Sequence, residues 1–259
     1  MKISVIIPTF NEASFVEQVV GSALDSGADE VVLADGGSTD QTVLLAEPLN
    51  CKIVHARRGR GSQLNAGAQV AIGDILLFLH ADASLASDGC QQIRTAMQDQ
   101  TVAFGAFEQV LDNRGWIYRL IEFGNAFRGR VLKTVYGDQG IFIRRSMFDS
   151  LGGFDEIPLM EDFSFSSKLR RQCADLRKTP ANGSPRAFNF TLLPGPLKVS
   201  TRRWEANGPI RQTIANWRTT ISYMRGTDPE VLAQAYYGRK ESQAKDSQNV
   251  PQEPNKQQA

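Results

Sequence analysis

Ile3-Ser4-Val5-Ile6-Ile7-Pro8-Thr9-Phe10-Asn11-Glu12 opens the chain with a β-rich apolar run that gives way at Pro8 to a polar cluster. Three more runs follow, Glu30–Ala34, Lys52–Val54 and Ile75–Leu79, each short enough for a buried strand. Between the first two, Phe15, Val16, Val19, Val20, Ala23 and Leu24 recur on one helical face. Asn11 is placed to cap that helix, with Glu12 in the first turn, where the helix dipole favours a carboxylate. A second helix is expected near Ser38-Thr39-Asp40 and a third near Ser62. Strands alternating with helices predict an α/β fold with a mostly parallel sheet flanked by helices.

Farther along, the pattern changes. Ala103–Val110 and Gly137–Ile143 predict strands, and between them Trp116, Leu120, Phe123, Phe127 and Val131 fall at helical spacing. Arg144-Arg145-Ser146 is expected to open a short helix, and Glu161-Asp162 a longer one that buries Phe165 and Leu169. A last amphipathic helix carries Ile210, Ile214, Trp217, Ile221 and Met224. Its stripe is expected to dock on its own domain. The alternative is an interfacial helix at a membrane surface, because Arg211, Arg218 and Arg225 recur beside it every seven residues. Residues 239–259 have no aromatic residue and are rich in Gln, Lys, Asn and Pro, the composition of a disordered tail. The rest, 1–238, reads as one domain.

With 259 residues, 41% of them hydrophobic, and 22 glycines, the chain can bury a sizeable core. A net charge of +1 gives no reason to expect a nucleic-acid partner. Cys51, Cys90 and Cys173 lie far apart with no Cys-x-x-Cys spacing. Neither a disulfide framework nor a zinc site is implied, and a reducing cytoplasm suits them. No apolar stretch approaches the ~20 residues of a membrane span, so the expectation is a soluble protein, at most peripheral to the inner membrane face.

Each early strand ends in a polar cluster: Thr9–Glu12, then Asp35-Gly36-Gly37-Ser38, then Arg57–Gln63, then His80-Ala81-Asp82. In an open α/β sheet the carboxyl ends of the strands line the ligand crevice. Asp35 can meet a base or ribose donor, and the backbone at Gly36-Gly37 permits close approach of a ligand; alone, the hexapeptide to Asp40 reads as a turn with a helix cap. Arg57-Arg58-Gly59-Arg60-Gly61-Ser62-Gln63 puts three guanidinium groups before a helix, which suits phosphate oxygens as well as a solvated basic loop. His80 and Asp82, two apart at a strand end, can point to one side. Asp82 suits a hard divalent cation on a diphosphate, and the imidazole favours manganese over magnesium. Glu161-Asp162 sets adjacent carboxylates at a helix start, where one can remove a proton from an acceptor or simply serve the helix dipole. Arg202-Arg203-Trp204 can clamp a diphosphate or stack on a sugar, or lie at the surface.

Together, Ser4–Glu12, Asp35–Asp40, Asn65-Ala66-Gly67, His80-Ala81-Asp82, Gly137–Arg144, Gly152-Gly153-Phe154-Asp155 and Glu161-Asp162 resemble the inverting glycosyltransferases of family 2, in the family's order over about residues 1–205. The resemblance implies a GT-A, Rossmann-like fold, with residues 1–100 as the nucleotide-sugar half, 101–205 as the acceptor half and 206–238 as a C-terminal helical segment. It implies that Pro8, Thr9, Asn11 and Glu12 border the nucleoside and that Asp35, with Gly36 and Ser38, meets the base, commonly uracil. Arg60, Gln63 and Asn65 would lie near the diphosphate, with Ala81, Arg203 and Trp204 also on the donor. Asp82 matches the metal-holding last acid of an Asp-x-Asp motif whose first acid is His80 here. Asp162 matches the catalytic base, with Glu161 the other candidate. Leu79–Asp82 with Arg202–Trp204 also resembles a bacterial subgroup associated with arsenosugar biosynthesis. The segment 116–133 would cover the sheet or join the cleft for a hydroxyl acceptor.

Other readings compete. A sugar-phosphate nucleotidyltransferase needs a glycine-rich basic loop after the first strand, and Thr9–Glu12 is not one. A non-catalytic nucleotide-sugar binder is kept open by His80 standing in place of an acid.

Overall fold

The structure, a computed structural model, describes residues 1–178 and 189–237, with side chains up to 175 in the first stretch. Eight strands form one sheet: β1 (Ile3–Thr9), β2 (Glu30–Asp35), β3 (Lys52–His55), β4 (Ile75–Phe78), β5 (Ala83–Leu85), β6 (Val102–Leu111), β7 (Ile141–Arg144) and β8 (Asn189–Val199), in the order β3-β2-β1-β4-β7-β6-β8-β5. The first four pair in parallel. β7 then runs antiparallel to both β4 and β6, and β8 runs parallel to β6 but antiparallel to β5. The parallel expectation therefore describes the first half, and the second half is mixed.

Period-two alternation splits the core into two layers. Val5, Ile7, Leu33 and Leu77 face α1 (Val16–Asp25), which buries Val16, Val19 and Val20. Ile6, Val32, Leu76 and Phe78 face the other way, toward α3 (Arg60–Val70), α6 (Arg145–Ser150) and α7 (Glu161–Lys178). Burying each such aliphatic side chain contributes about 1.5–3 kcal/mol. The remaining helices are α2 (Thr42–Ala46), α4 (Gly89–Ala96), α5 (Trp116–Leu132), α8 (Arg202–Asn207) and α9 (Pro209–Met224), and residues 229–237 are also helical.

Four expectations are corrected. Asn11 does not cap α1: its φ of 55° is left-handed, and the helix begins only at Val16. Gly137–Gln139 is a 3₁₀ turn rather than strand, because Gly140 takes φ 64° and β7 starts after it. The α9 stripe does not dock on its own domain, since Ile210, Ile214, Trp217, Ile221 and Met224 are all exposed. Nor does the apolar stripe of α5 cover the sheet: Trp116, Leu120, Phe123, Phe127 and Val131 face outward. The tail 239–259 lies outside the described residues.

Candidate active site

Parallel pairing brings the ends of β1, β2 and β4 to one edge, and the polar clusters gather there. Gln63, buried on α3, donates to the carbonyls of Thr9 (2.7 Å) and Ala34 (2.9 Å), tying the first two strand ends together. Gly36 leaves room for that amide, because a Cβ there would lie 3.0 Å from it. Asp35 is buried and accepts from the backbone N–H of Gly37 (2.9 Å), the N–H of Ser38 (3.0 Å) and the Ser38 hydroxyl (2.5 Å). Asn11 accepts from the Thr39 N–H at 2.8 Å, which pins the β1 loop to the β2 loop.

Arg202 joins the first and fourth clusters. Its guanidinium lies 2.9 Å from Glu12 and 3.4 Å from Asp82, and stacks over the Phe15 ring at 4.6 Å. Burial works against that charge, but Glu12 and Asp82 outweigh it and hold the guanidinium more firmly protonated than usual.

The opposite wall is α7, and four packing details place its start. Gly153 has φ 77°, and a Cβ there would lie 2.6 Å from Asn65 Oδ1. Asn65 spends its amide on Phe154, accepting from its N–H and donating to its carbonyl, both at 2.9 Å. Phe154 then stacks on Phe165 of α7 with centroids 4.1 Å apart. A Cβ on Gly61 would meet the Asp155 carbonyl at 2.2 Å, so only glycine lets α3 approach this closely. Arg60, beside it, reaches Glu161 with Nε to Oε1 at 2.5 Å. Although burial opposes charge on Arg60, Glu161 overcomes it and raises the arginine's pKa. Glu161, itself buried, is committed to that ion pair.

Asp162 is left facing the cleft. Its Oδ2 accepts from the Gly137 N–H at 2.8 Å and its Oδ1 from the Phe163 N–H at 2.7 Å. A Cβ on Gly137 would sit 2.5 Å from His80 Nε2, so the imidazole and the carboxylate lie against the same bare backbone. Burial, and then the Arg60 guanidinium, hold the His80 imidazole below its usual pKa despite Asp82, Asp138 and Asp162 nearby. It is neutral at pH 7.

Arg60, His80, Asp82, Asp162, Arg203 and Trp204 line one cleft. Pro8, Thr9, Asn11, Glu12, Asp35, Gly36 and Ser38 lie along the neighbouring sheet edge instead. Ala81 is buried in the core, and Gln63 and Asn65 turn their amides onto backbone. Sequence reasoning passed over Asp138 and Tyr136, which also line the cleft. Reading Gly137–Ile143 as a strand hid the turn that presents Asp138. The bridging role of Arg202 was equally hidden, although its place in a cationic cluster was a signal. Two buried polar atoms of cleft-lining residues have no partner, Asp138 Oδ1 and Trp204 Nε1–H. Buried polar groups are normally satisfied, so an acceptor and a donor stand ready for a ligand.

A single sheet of this order between helices, with its cleft at the strand ends, is the GT-A architecture. Staphylococcus aureus TarS 1-349 in complex with UDP-GlcNAc matches it with a TM-score of 0.58 at 19% identity, over 77% of this chain and 58% of that one. Mannosyltransferase PcManGT from Pyrobaculum calidifontis, in complex with GDP-Man and Mn2+, matches with a TM-score of 0.57 at 18% identity, over 91% and 69%. The chain thus spans under two thirds of the TarS structure, and at such identities the likeness shows the fold. Residues 4–152 match the family described as Glycosyl transferase family 2, and the chain belongs to that family. A PGL/p-HBAD biosynthesis glycosyltransferase of Mycobacterium bovis is 32% identical over 180 residues, 63% of this chain and 67% of that protein. Glucosyl-3-phosphoglycerate synthase of Mycobacterium tuberculosis is 32% identical over 92 residues, 31% and 28% of the two chains.

Proposed function

We propose that this glycosyltransferase works by inversion, moving a sugar from a nucleoside diphosphate, UDP being the first candidate, to an acceptor hydroxyl. The observation that carries this reading is that Asp82 and Asp162, from opposite walls, open into one cleft with Arg60 beside them. Asp162 accepts the acceptor's proton as its oxygen attacks the anomeric carbon, inverting that centre as the diphosphate leaves. The Gly137 N–H holds Asp162 in place, and Glu161 is spent on Arg60, which separates the base from its neighbour. Arg60 and Arg203 supply positive charge toward the departing diphosphate. Asp138 Oδ1 and the Trp204 indole N–H are free to meet sugar hydroxyls.

The described residues contain no cluster of three or more His, Cys, Asp or Glu that could cage a metal. Asp82, with His80 alongside, would hold a divalent cation together with the donor's diphosphate. When bound, such a cation neutralises charge on the leaving group. The neutral imidazole favours manganese over magnesium. The Mn2+ in the PcManGT complex and the UDP-GlcNAc in the TarS complex support this reading.

Replacing Asp162→Asn tests it. Transfer should fall by roughly 10²–10⁴-fold, the usual contribution of a general base, while the nucleotide sugar still raises the melting temperature. Full turnover by the variant rejects the assignment.

A further inference from the structure

Sixteen large apolar side chains are exposed among the described residues, six on α5 and five on α9. The two helices lie side by side, so these side chains form one face that includes Trp116 (74% exposed), Phe123 (71%) and Trp217 (67%). Contiguous apolar surface of this kind marks an interaction site. Between the helices runs an apolar groove with Ile121, Phe127 and Ile214 in its walls, ending at Tyr136 and Thr220. Those two hydroxyls are bonded at 2.9 Å, and both residues also line the catalytic cleft. The apolar face and the cleft therefore share a wall.

Charge identifies the occupant. The two helices hold five arginines against one acid, Glu122, in a chain whose net charge is only +1. Arg119 pairs with Glu122 and Arg130 with Glu108, but Arg211, Arg218 and Arg225 are exposed and make no ion pair among the described residues. The same face of a second copy would offer these arginines no acid but Glu122, which Arg119 already pairs. Residues 239–259 offer no aromatic side chain and Val250 as the one branched aliphatic, too little to cover the face. Exposed tryptophan and phenylalanine beside unpaired arginine is the composition of a helix seated at a lipid–water interface. We infer that the α5–α9 face docks on an anionic phospholipid bilayer, with the mouth of the cleft held at headgroup level. No helix among the described residues is long and apolar enough to cross that bilayer, so the contact is peripheral.

The inference rests on the proposed function only in calling the cleft catalytic. To test it, the full-length chain is sedimented with phosphatidylcholine vesicles, alone or mixed with phosphatidylglycerol. It should pellet with the mixed vesicles, release as salt rises, and shift its tryptophan emission to the blue. The double replacement Phe123→Ser and Trp217→Ser should cut binding by roughly tenfold or more. Arg211→Gln and Arg218→Gln should each cut it by about fivefold. All of these variants should keep the parent melting temperature and its response to nucleotide sugar. Protein that stays in the supernatant with both vesicles overturns the inference. So does equal, salt-insensitive binding to both, or a dimer that Trp217→Ser abolishes, which would give the face to a second copy. Because vesicle binding needs no turnover, an active Asp162→Asn variant would sink the mechanism and leave this result standing.

Discussion

α7 and α9 are amphipathic helices of similar length that wall the same cleft, yet they are built inside out relative to each other. α7 turns Phe165 and Leu169 inward, both fully buried, against Phe78, Phe148 and Phe154. α9 turns Gln212, Asn216, Thr219 and Thr220 toward the cleft and shows Ile214, Trp217 and Met224 to the outside. Helical periodicity shows that a segment has two faces. What each face meets depends on the partner: α7 has an aromatic cluster to pack on, and α9 has a polar cavity to line.

The two helices must therefore respond differently to substitution. The largest loss of stability is expected from Phe165→Ala, at about 3–5 kcal/mol for emptying a packed aromatic site, read from urea unfolding; a loss under 1 kcal/mol would mean that α7 is not anchored there. Next comes Glu161→Gln, which strands Arg60 and should cost ~3 kcal/mol, the lower part of the range for breaking a buried pair because Arg60 is partly exposed. A smaller effect is expected at Asp155. Burial raises its pKa, but Lys168 at 2.5 Å and Ser164 at 2.6 Å outweigh burial and hold it below the usual carboxylate range. A depressed acid stabilises the fold above its unfolded pKa and loses that contribution as pH falls through the folded one. Asp155→Asn should therefore flatten the acid limb of the stability curve below about pH 4, by no more than ~1 kcal/mol at this half-exposed position. Least of all, Trp217→Ser on α9 should shift stability by no more than about 0.5 kcal/mol. A large loss there would mean that the stripe is packed in solution.

Much of the first half was legible because its strands are short, apolar and bounded by polar clusters; β1 to β4 fall where those runs fall. Asp82 and Asp162 were likewise legible as acids following a strand and opening a helix. β8 was not, because Pro194, Gly195 and Pro196 interrupt it, and proline reads as a strand breaker. β5, only three residues long, carries no pattern at all. The turn at Gly137–Gln139 escaped because apolar Ile141–Ile143 made the whole stretch resemble one strand. Arg202 could not be assigned a partner, since Glu12 lies 190 residues away and no local spacing links them.

Gly137 acts as a ruler. The place a Cβ would take on it lies 2.5 Å from His80 Nε2 and 3.4 Å from Asp162 Oδ2, and its N–H holds that same carboxylate oxygen. The spacing between imidazole and carboxylate is therefore set by the bare α-carbon on which both groups close. Any other residue at position 137 would reset it.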